Sequence, residues 1–331
     1  MKVVIPLAGK GTRLRPHTYV TPKPLLPVGG RPVMSYILDD LEALGVDEIV
    51  FVTGYLKERI EEYIRTEYPK FRAHFVEQEV QNGTAGAVKL AEPYIDQELL
   101  IIFVDTLFDA DLSVVKRLPA EEAGVIWVKH VEDYQRFGVV VTDEDGYMKR
   151  IIEKPQDPIS TLANIGLYYI RDWRLLFRGI DEAIGGPKGP GEEFYLTDAF
   201  QFMIDHGARI RTIEVEGWYD CGKPETLLET NAHLLANAGR ARRPDGGRGM
   251  RVHDPVRIEE GVTLEDVEIG PNVTIGTGAR IRGSTIRDAI VGARARIENS
   301  KLHDSLIGDD VVLAGLDGSV SVSDSAEVIS D

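Results

Sequence analysis

The chain has a single cysteine, Cys221, among its 331 residues, and no apolar run as long as a membrane-spanning helix requires. One cysteine excludes an internal disulfide framework and is typical of proteins from a reducing cytoplasm. Positive side chains are also scarce, since 38 Lys and Arg stand against 54 Asp and Glu, for a formal net charge of −16. This balance argues against nucleic acid as a partner. We therefore expect a cytoplasmic protein that binds neither nucleic acid nor membrane.

Short apolar runs alternate with helical patterns through the first 105 residues. Residues 2–7 (KVVIPL) resemble a buried parallel strand, and residues 32–44 space their apolar side chains as an amphipathic helix does. Further strands are predicted in DEIVFVTG, RAHFVEQE and LLIIFVD, the last ending on Asp105. This alternation predicts a parallel sheet with helices on both faces. Such sheets bind ligands at the carboxyl ends of their strands, where loop 8–16 and Asp105 fall.

The pattern changes after residue 124. The segments GVIWVKHV, GVVVTDEDGYMKRIIEKP and NIGLYYIR are short strands with tight turns, which predict antiparallel pairing. Helices follow at 172–184 and 197–206, and then come the strand IRTIEVEG and the helix PETLLETNAHLLANA. We predict an α/β domain with a Rossmann-like mixed sheet over residues 1–238.

The tail carries a different repeat, in which aliphatic residues recur every five or six positions. This spacing is neither a helical period nor strict alternation, and it indicates a β-helix whose short strands share one core. The Gly/Arg-rich stretch 239–251 predicts a linker, and residues 252–331 form the β-helix domain, with the polar end DGSVSVSDSAEVISD as a cap or a disordered tail. The recurring residues are Ile258, Leu264, Ile269, Ile275, Ile281, Ile286, Val291, Ile297, Leu302, Ile307 and Leu313.

One loop stands out against the acidic background, because it gathers four cations beside Gly9 and Gly11. They are Lys10, Arg13, Arg15 and Lys23. Bare backbone N–H groups of such a turn can approach phosphate oxygens, and the N-terminus of a following helix adds positive potential. A dinucleotide fingerprint needs glycine where Leu14 stands, and a P-loop needs Ser or Thr where Gly11 follows Lys10, so neither motif fits. A solvated basic loop is the plain alternative, but the adjoining Thr12 and the prolines around Lys23 favour an anion site.

With these motifs the sequence resembles the sugar-1-phosphate nucleotidylyltransferases, also called nucleotide-sugar pyrophosphorylases, and among them the glucose-1-phosphate thymidylyltransferase-like members. The resemblance covers about residues 1–237, and the tail resembles the left-handed hexapeptide β-helix that several members carry. It is specific for the reaction and much less so for the sugar and the base. The matching motifs, in the family's order, are GKGTRLRPHT, PKP, NGTAGAV, FVD, RFGVV, EKP, NIGLYY, LTDAF and WYDCGKPE.

The resemblance implies that a sugar-1-phosphate oxygen attacks the α-phosphorus of a nucleoside triphosphate and that pyrophosphate leaves. Arg13 would grip the triphosphate with its planar guanidinium, and Lys23 would be a fixed charge near the α-phosphate. Asp105 and Asp220 match the family's two Mg²⁺ ligands. Two neighbours of these aspartates depart from the family's pattern. Val104 precedes Asp105 where glycine is commoner, and Cys221 follows Asp220 where the family often has a different small or apolar residue. Neither change removes a ligand.

The same resemblance implies the substrate-binding positions. An amide such as Gln78 both donates and accepts, which suits the O4 and N3–H edge of uracil or thymine, so dTTP or UTP is favoured, with glucose-1-phosphate as the sugar substrate. The implied nucleotide-binding residues are Leu7, Ala8, Gly9, Gly11, Thr12, Arg13, Gln78, Gly83 and Thr84. The implied sugar-phosphate-binding residues are Gly138, Glu153, Lys154, Asn164 and Glu193.

Other interpretations stay open. The chain would fit a guanylyl- or adenylyl-transferring relative, an N-acetylglucosamine-1-phosphate uridylyltransferase, or a non-catalytic regulatory paralogue. An acyltransferase activity of the β-helix would need a base such as His253 or His303. Individually, Asp105 also fits a helix cap and Asp220 a turn residue. We expect the β-helix to serve homo-oligomerisation, because its flank offers edges and faces to a partner.

Overall fold

The computed structural model describes residues 1–237, 242 and 249–330. The helices are α1 Val33–Leu44, α2 Lys57–Glu67, α3 Thr84–Lys89, α4 Trp173–Gly185, α5 Leu196–Asp205 and α6 Pro224–Ala236. The strands before residue 238 are β1 Lys2–Pro6, β2 Pro27–Val28, β3 Arg31–Pro32, β4 Glu48–Thr53, β5 Arg72–Glu77, β6 Leu99–Ile102, β7 Thr106–Phe108, β8 Gly124–His130, β9 Gly138–Thr142, β10 Met148–Glu153, β11 Leu162–Ile170, β12 Ile210–Glu214 and β13 Trp218–Asp220. The strands of the tail are β14 Arg251–Val252, β15 Val256–Ile258, β16 Thr263–Glu265, β17 Glu268–Ile269, β18 Val273–Ile275, β19 Arg280–Arg282, β20 Thr285–Ile286, β21 Ala289–Val291, β22 Arg296–Glu298, β23 Lys301–Leu302, β24 Ser305–Ile307, β25 Val312–Ala314, β26 Asp317–Gly318, β27 Ser321–Val322 and β28 Glu327–Ile329.

The chain packs as two compact units whose boundaries do not follow chain order. Unit 1 comprises Met1–Gly9 and Tyr36–Trp218, and unit 2 comprises Lys10–Ser35 together with the described residues from Tyr219 onward. The segment 10–35 therefore groups with the tail by its contacts. Among the described residues, no helix is both long enough and apolar enough to cross a membrane.

The central strands of unit 1 form the predicted parallel sheet. Strand β1 lies between β4 and β6 and pairs in parallel with both, so that Val4 is opposite Val50 on one side and Ile101 on the other. Strand β5 continues the parallel pairing beyond β4. Val4 is fully buried, as expected for a strand covered on both faces. The carboxyl ends of these strands lie at one edge of the sheet. The loop after β1 begins at this edge, and Gln78 directly follows β5 there.

The later strands add the antiparallel part of the same sheet. Its order is β10-β9-β11-β6-β1-β4-β5, with β8 also beside β11 and β12 beside β8. Strand β11 runs antiparallel to β6, β8 and β9. The predicted mixed sheet is thereby confirmed. Strand β6 ends at Ile102 rather than at Asp105, and the next residue, Phe103, donates one more hydrogen bond to β11, at the Gly166 carbonyl 2.8 Å away.

Helices α3, α4 and α5 cover one face of this sheet with apolar side chains. Phe177 and Ile180 of α4 and Phe200 and Met203 of α5 are buried in one core with Val88 of α3. Helix α4 is capped at its start, where the Asp172 side chain accepts a hydrogen bond from the Leu175 N–H at 3.1 Å. Helix α5 follows directly on residues 193–195, so its packing fixes the segment that carries the predicted site residue Glu193.

The tail of unit 2 is the predicted β-helix. Its strands form three five-stranded, all-parallel sheets, and register partners such as Val273 and Ala289 occupy equivalent places on successive coils. All eleven aliphatic residues of the sequence repeat are buried in it. The corners are turned by residues with positive φ, among them Asn272, Asp288 and Asp304. Short polar side chains tolerate this conformation, which explains the polar residue that separates the strands.

The polar end of the chain is neither a disordered tail nor a separate cap in the described residues. Strands β26, β27 and β28 pair in parallel with β23, β24 and β25 and form a further coil. Val320 and Val322 pack against the β-helix core and supply the apolar contacts of this coil. Residues 239–241 and 243–248 of the predicted linker lie outside the described residues, and the division at residue 238 stays a prediction.

Candidate active site

The loop that follows β1 folds back on itself through three 3₁₀ turns. These turns are Thr12–Leu14, His17–Tyr19 and Lys23–Leu25. Gly11 starts the loop with φ 59° and ψ 36°, in the left-handed region that favours glycine. A Cβ on Gly11 would lie 3.1 Å from Lys23 Cβ, and the Thr18 hydroxyl donates to the Gly11 carbonyl at 2.9 Å. The expected helix does not follow this turn directly, because the next α-helix in the chain, α1, begins only at Val33.

Two predicted cations and one predicted metal ligand converge in unit 2 around Gly222. The point that a Cβ of Gly222 would occupy lies 3.3 Å from Arg13 Nη2, 3.5 Å from Lys23 Nζ and 2.7 Å from Asp220 Oδ1. The same carboxylate oxygen accepts a hydrogen bond from the Gly222 N–H at 2.7 Å. A glycine thus keeps clear the point where a guanidinium, an ammonium and a carboxylate meet. This arrangement suits a phosphate group and a cation.

Leu7, Ala8 and Gly9 occupy the carboxyl end of β1 in unit 1. The Leu7 N–H donates to the Val52 carbonyl at 2.7 Å, which continues the parallel pairing one residue past the strand. The Ala8 carbonyl accepts from Gln81 Nε2 at 2.7 Å. Leu7 and Ala8 are buried and Gly9 is exposed. Gln81 therefore links the end of β1 to the loop that carries Gln78 and Gly83.

The Gln78 side chain is buried and its nitrogen is held by its own loop. Gln78 Nε2 donates to Asn82 Oδ1 at 3.1 Å and to the Gly83 carbonyl at 3.3 Å. Since a carbonyl oxygen can only accept, the Gly83 contact requires the amide nitrogen on that side. The remaining hydrogen-bonding atom of Gln78 is Oε1, an acceptor. Only 7% of Gln78 is exposed, so its side chain does not face solvent.

The segment before α5 closes over the NGTAG loop. The Phe194 N–H donates to the Asn82 carbonyl at 2.8 Å, and the Phe194 carbonyl accepts from the Ala85 N–H at 3.0 Å. The Thr84 hydroxyl accepts from the Leu196 N–H at 2.9 Å. Gly83 has φ 107°, and a Cβ on it would lie 2.4 Å from the Phe194 carbonyl oxygen. Backbone pairing therefore places Glu193 beside the predicted base-binding loop.

Three of the predicted sugar-binding residues meet at Gly138. Asn164 Nδ2 donates to the Gly138 carbonyl at 2.7 Å, and Thr197 Oγ1 donates to Glu153 Oε2 at 3.3 Å. A Cβ on Gly138 would lie 2.3 Å from Asn164 Nδ2, 2.8 Å from Thr197 Cγ2 and 2.9 Å from Glu153 Oε2. The Tyr168 hydroxyl donates a hydrogen bond to Asn164 Oδ1 and so fixes the orientation of the amide. Burial raises the pKa of Glu153, against the Lys154 charge that lowers it.

Lys154 is held by an aromatic hydroxyl. Lys154 Nζ donates to Tyr195 Oη at 2.9 Å and lies 3.8 Å from Glu153 Oε1. The pKa of Lys154 is raised, because the burial that lowers it is outweighed by the Tyr195 hydrogen bond and the charges of Glu153 and Glu193. Its backbone has φ 45°, which residues with a side chain seldom adopt. The charged ammonium of Lys154 is thus held in its direction by Tyr195 and by a strained backbone conformation.

Asp105 stands three residues after β6, partly exposed at the carboxyl edge of the sheet in unit 1, while Asp220 belongs to unit 2. Both offer the hard oxygen atoms that Mg²⁺ prefers. Within residues 1–237, 242 and 249–330, no three His, Cys, Asp or Glu side chains group into a ready-made metal cage. Mg²⁺ commonly needs no such cage, since one or two carboxylates, substrate phosphates and water complete its shell. Each of the two carboxylates is therefore of the kind that Mg²⁺ accepts as a ligand.

A model of the nucleotidyl transferase family matches residues 2–237. The chain belongs to the nucleotidyl transferase family. The match covers every predicted site residue and confirms the resemblance found in the sequence motifs.

Individual relatives of this nucleotidyl transferase show the same kinship. The bifunctional protein GlmU of Methanocaldococcus jannaschii is 35% identical over 262 residues, which are 79% of this chain and 61% of the relative. The chain thus spans about three-fifths of that relative's length. The glucose-1-phosphate thymidylyltransferase of Streptomyces antibioticus is 30% identical over 317 residues, 88% of this chain and 87% of the relative. A crystal structure of UDP-glucose pyrophosphorylase complexed with UDP-glucose covers 70% of this chain and 97% of its own, at 25% identity and a TM-score of 0.63.

Sequence motifs alone did not single out four residues of this nucleotidyl transferase that touch the predicted site. Gly222 lies within the quoted WYDCGKPE motif, and Tyr195 and Thr197 flank or belong to LTDAF, so the motifs held a signal for these three. Gln81 carries no such signal. Its role depends on a contact with Ala8, 73 residues away, that no local pattern marks.

Proposed function

We propose that the protein transfers a nucleotidyl group from a nucleoside triphosphate to a sugar-1-phosphate, with dTTP or UTP and glucose-1-phosphate as the favoured substrates. An oxygen of the sugar phosphate attacks the α-phosphorus, the bond from that phosphorus to the β-phosphate oxygen breaks, and pyrophosphate leaves. Both reactants are anionic, so catalysis consists largely of aligning them and offsetting their charge.

The convergence of Arg13 Nη2, Lys23 Nζ and Asp220 Oδ1 around Gly222 is the observation that carries the proposal. Arg13 holds the triphosphate through its planar donors, and Lys23 is a point charge for the α-phosphate. We assign the backbone of Gly9, Gly11 and Thr12 to the phosphates, since the two glycines carry no side chain that would block a close approach. A loop that served only solubility would not need a glycine from another segment, Gly222, to leave room at the point where its cations meet.

Gln78 supports a pyrimidine base with a protonated ring nitrogen. Its amide nitrogen is used by Asn82 and Gly83, so Oε1 is the atom left to read the base. An acceptor suits the N3–H of uracil or thymine and the N1–H of guanine. It does not suit adenine N1 or cytosine N3, which are acceptors themselves. We infer UTP or dTTP as the substrate; GTP offers the same kind of ring N–H donor, and ATP and CTP offer only their exocyclic amino groups.

The cluster at Gly138 supports the sugar side of the reaction. Glu153 and Asn164 offer an acceptor and a mixed donor–acceptor for sugar hydroxyls, and the absence of a side chain at Gly138 leaves room for the ring. Lys154 binds the sugar phosphate through its charged ammonium. Glu193 lies close enough to Lys154 to affect its pKa, and we assign it to the same hydroxyl-binding group.

Asp105 and Asp220 would hold the Mg²⁺ ion. When bound, Mg²⁺ offsets negative charge on the α-phosphate and fixes its orientation. The Gly222 N–H positions the Asp220 carboxylate for this task, since a carboxylate that already accepts one hydrogen bond has less rotational freedom to lose.

The direct test is pyrophosphate release from a panel of five triphosphates and several sugar-1-phosphates. We expect release with a pyrimidine triphosphate and a hexose-1-phosphate, and its loss in excess chelator. Release with ATP alone would point to an adenylyl-transferring relative. No release with any pair would favour a regulatory paralogue.

Matched carboxylate variants test the metal assignment. Asp105→Asn and Asp220→Asn keep the shape and remove the charge, so each should lose most turnover while the thermal unfolding temperature changes little. Asp172→Asn is the control, because asparagine also caps a helix and Asp172 lies at the start of α4. Unchanged turnover in either site variant would remove that residue from the metal site.

We also propose that the chain forms a homo-oligomer through the β-helix. On the last strand, Val328 and Ile329 expose 39% and 59% of their surface. Light scattering on the full chain and on a Val328→Glu, Ile329→Glu variant tests this contribution. A monomeric full chain would contradict self-association.

A further inference from the structure

We call residues 10–35, which carry Arg13 and Lys23, the catalytic loop. The part of this loop between Arg13 and Lys23 is attached to the β-helix inside unit 2. His17 Nε2 lies 3.1 Å from Ser321 Oγ, a contact between residues 304 positions apart. Thr21 Oγ1 donates to Asp324 Oδ2 at 3.5 Å. Only 4% of His17 is exposed. Burial lowers the pKa of His17 to about 4, against the Asp324 charge that raises it, so the ring is neutral at pH 7.

The end of the same loop is tied to the β-helix through one buried amide. Asn231 of α6 is fully buried, and its Oδ1 accepts from the Gly29 N–H at 2.9 Å and from the Thr274 hydroxyl at 2.7 Å. Its Nδ2 donates to the Asn272 carbonyl at 3.1 Å. Side chains of the first coil also approach the loop closely, since a Cβ on Gly30 would lie 2.2 Å from Arg257 Nε. The loop is thus held at two separate places.

Apolar packing at the first of these places is incomplete. A cavity of about 200 Å³ lies between the loop and the β-helix, lined by Leu25 and Pro27 on one side and by Leu306 and Ile307 on the other. A void removes the neighbouring atoms that would otherwise resist a shift of the loop. The directional contacts of His17 and Thr21 therefore help to set where this part of the loop sits, together with the buried Leu14 and Leu26.

We propose that the last coils of the β-helix position the catalytic loop, with Ser321 acting through His17 to hold Arg13 and Lys23 in place. This inference rests on the proposed function for the roles of the two cations. His17 is four residues after Arg13 and six before Lys23, so a shift at His17 moves both cations through short pieces of backbone. Ser321 and His17 are positioning residues, and neither touches the reacting atoms. The tail then contributes to turnover as well as to assembly.

Three serine variants on one coil test the proposal in the full chain. Ser321→Ala removes the hydroxyl that meets His17, and Ser321→Thr keeps it. Ser319→Ala removes a hydroxyl that donates, within the described part of the chain, to the Asp304 carbonyl of the β-helix. A single hydrogen bond is worth roughly a 2- to 10-fold change in an equilibrium constant. We expect Ser321→Ala to lower kcat/KM for the triphosphate by roughly that factor with an unchanged KM for the sugar phosphate. Ser321→Thr should restore the value, and Ser319→Ala should leave it at wild type.

Hydrogen exchange of residues 10–25 without substrate gives a second readout that needs no enzyme activity. Faster exchange in Ser321→Ala than in Ser319→Ala supports the attachment even if no substrate pair is turned over, in which case only the proposed function fails. Equal exchange in the two variants, or equal loss of kcat/KM in both, would overturn the positioning role. A sugar-phosphate KM that rises with the triphosphate effect would also contradict it, since that pattern indicates general damage.

Discussion

Replacing Gly138 with alanine directly tests the proposed sugar-binding cluster of Gly138, Glu153 and Asn164. The new Cβ would lie 2.3 Å from Asn164 Nδ2, 2.8 Å from Thr197 Cγ2 and 2.9 Å from Glu153 Oε2. All three distances are shorter than a carbon atom permits, and the three neighbours are themselves held by hydrogen bonds, so they cannot simply rotate away. The Asn164 donation to the Gly138 carbonyl, now 2.7 Å, would be broken or bent.

Two costs combine in this variant. Overpacking a well-filled site costs about 1–3 kcal/mol, and a lost hydrogen bond costs about 1 kcal/mol. We therefore expect Gly138→Ala to be destabilised by about 2 kcal/mol or more. Displacement of Asn164 and Glu153 also removes the two contacts that we propose they make to sugar hydroxyls, and each 1.4 kcal/mol lost in binding is about a tenfold increase in KM. The KM for the sugar phosphate should rise at least about tenfold, while the KM for the triphosphate changes little.

Thermal unfolding and a pyrophosphate-release assay measure both effects. Gly185→Ala is the matched control, because a Cβ there meets nothing within 4 Å and the position ends α4. Alanine at such a site should be neutral or stabilising by up to about 1 kcal/mol. The reasoning would be refuted if Gly138→Ala matched Gly185→Ala in both unfolding temperature and sugar-phosphate KM.

Three further predictions follow from the same structure. The Glu122 side chain is fully buried, and its hydrogen bonds from Arg211, with that from Tyr147, hold its pKa below the ordinary value. The stability that the ionised Glu122 contributes is therefore present above pH ~4.3, the ordinary pKa of glutamate, and is lost as the pH falls toward the lowered pKa. Glu122→Gln should cost about 3 kcal/mol of unfolding free energy at pH 7, and its unfolding temperature should fall less steeply than that of the wild type between pH 5 and pH 3. An equal fall in unfolding temperature in the two proteins would contradict this. Lys154→Ala should raise the sugar-phosphate KM and Lys23→Ala should lower kcat, with the exposed Lys149→Ala as control, and the reverse pattern in steady-state kinetics would mean that the two roles are exchanged. Ile297→Ala in the β-helix core should lower the free energy of unfolding by about 2–5 kcal/mol in denaturant titrations, and a smaller loss would mean that the coil collapses around the gap.

The amino-acid sequence by itself determined the two kinds of architecture. The aliphatic spacing of five or six in the tail equals one short strand plus one corner, so each of the eleven residues could be assigned to the β-helix core before any coordinates. The alternation of apolar runs and helices likewise predicted the parallel strands of the sheet, and the short strands with tight turns after residue 124 predicted its antiparallel part. Motif order was enough to identify the family, because it depends on residue types and sequence order rather than on contacts.

Only the tertiary structure decided which of these residues meet. Asn164 and Lys154 lie within sequence motifs and Gln78 lies just before one. Which of their atoms we propose to bind substrate depends on tertiary partners such as Gly83, Tyr168 and Tyr195. The grouping of loop 10–35 with the tail was invisible in the sequence, since His17 and Ser321 lie at opposite ends of the chain and share no repeat or motif. Contacts of this kind arise from how finished coils and loops pack, and a local pattern of side chains holds no record of them.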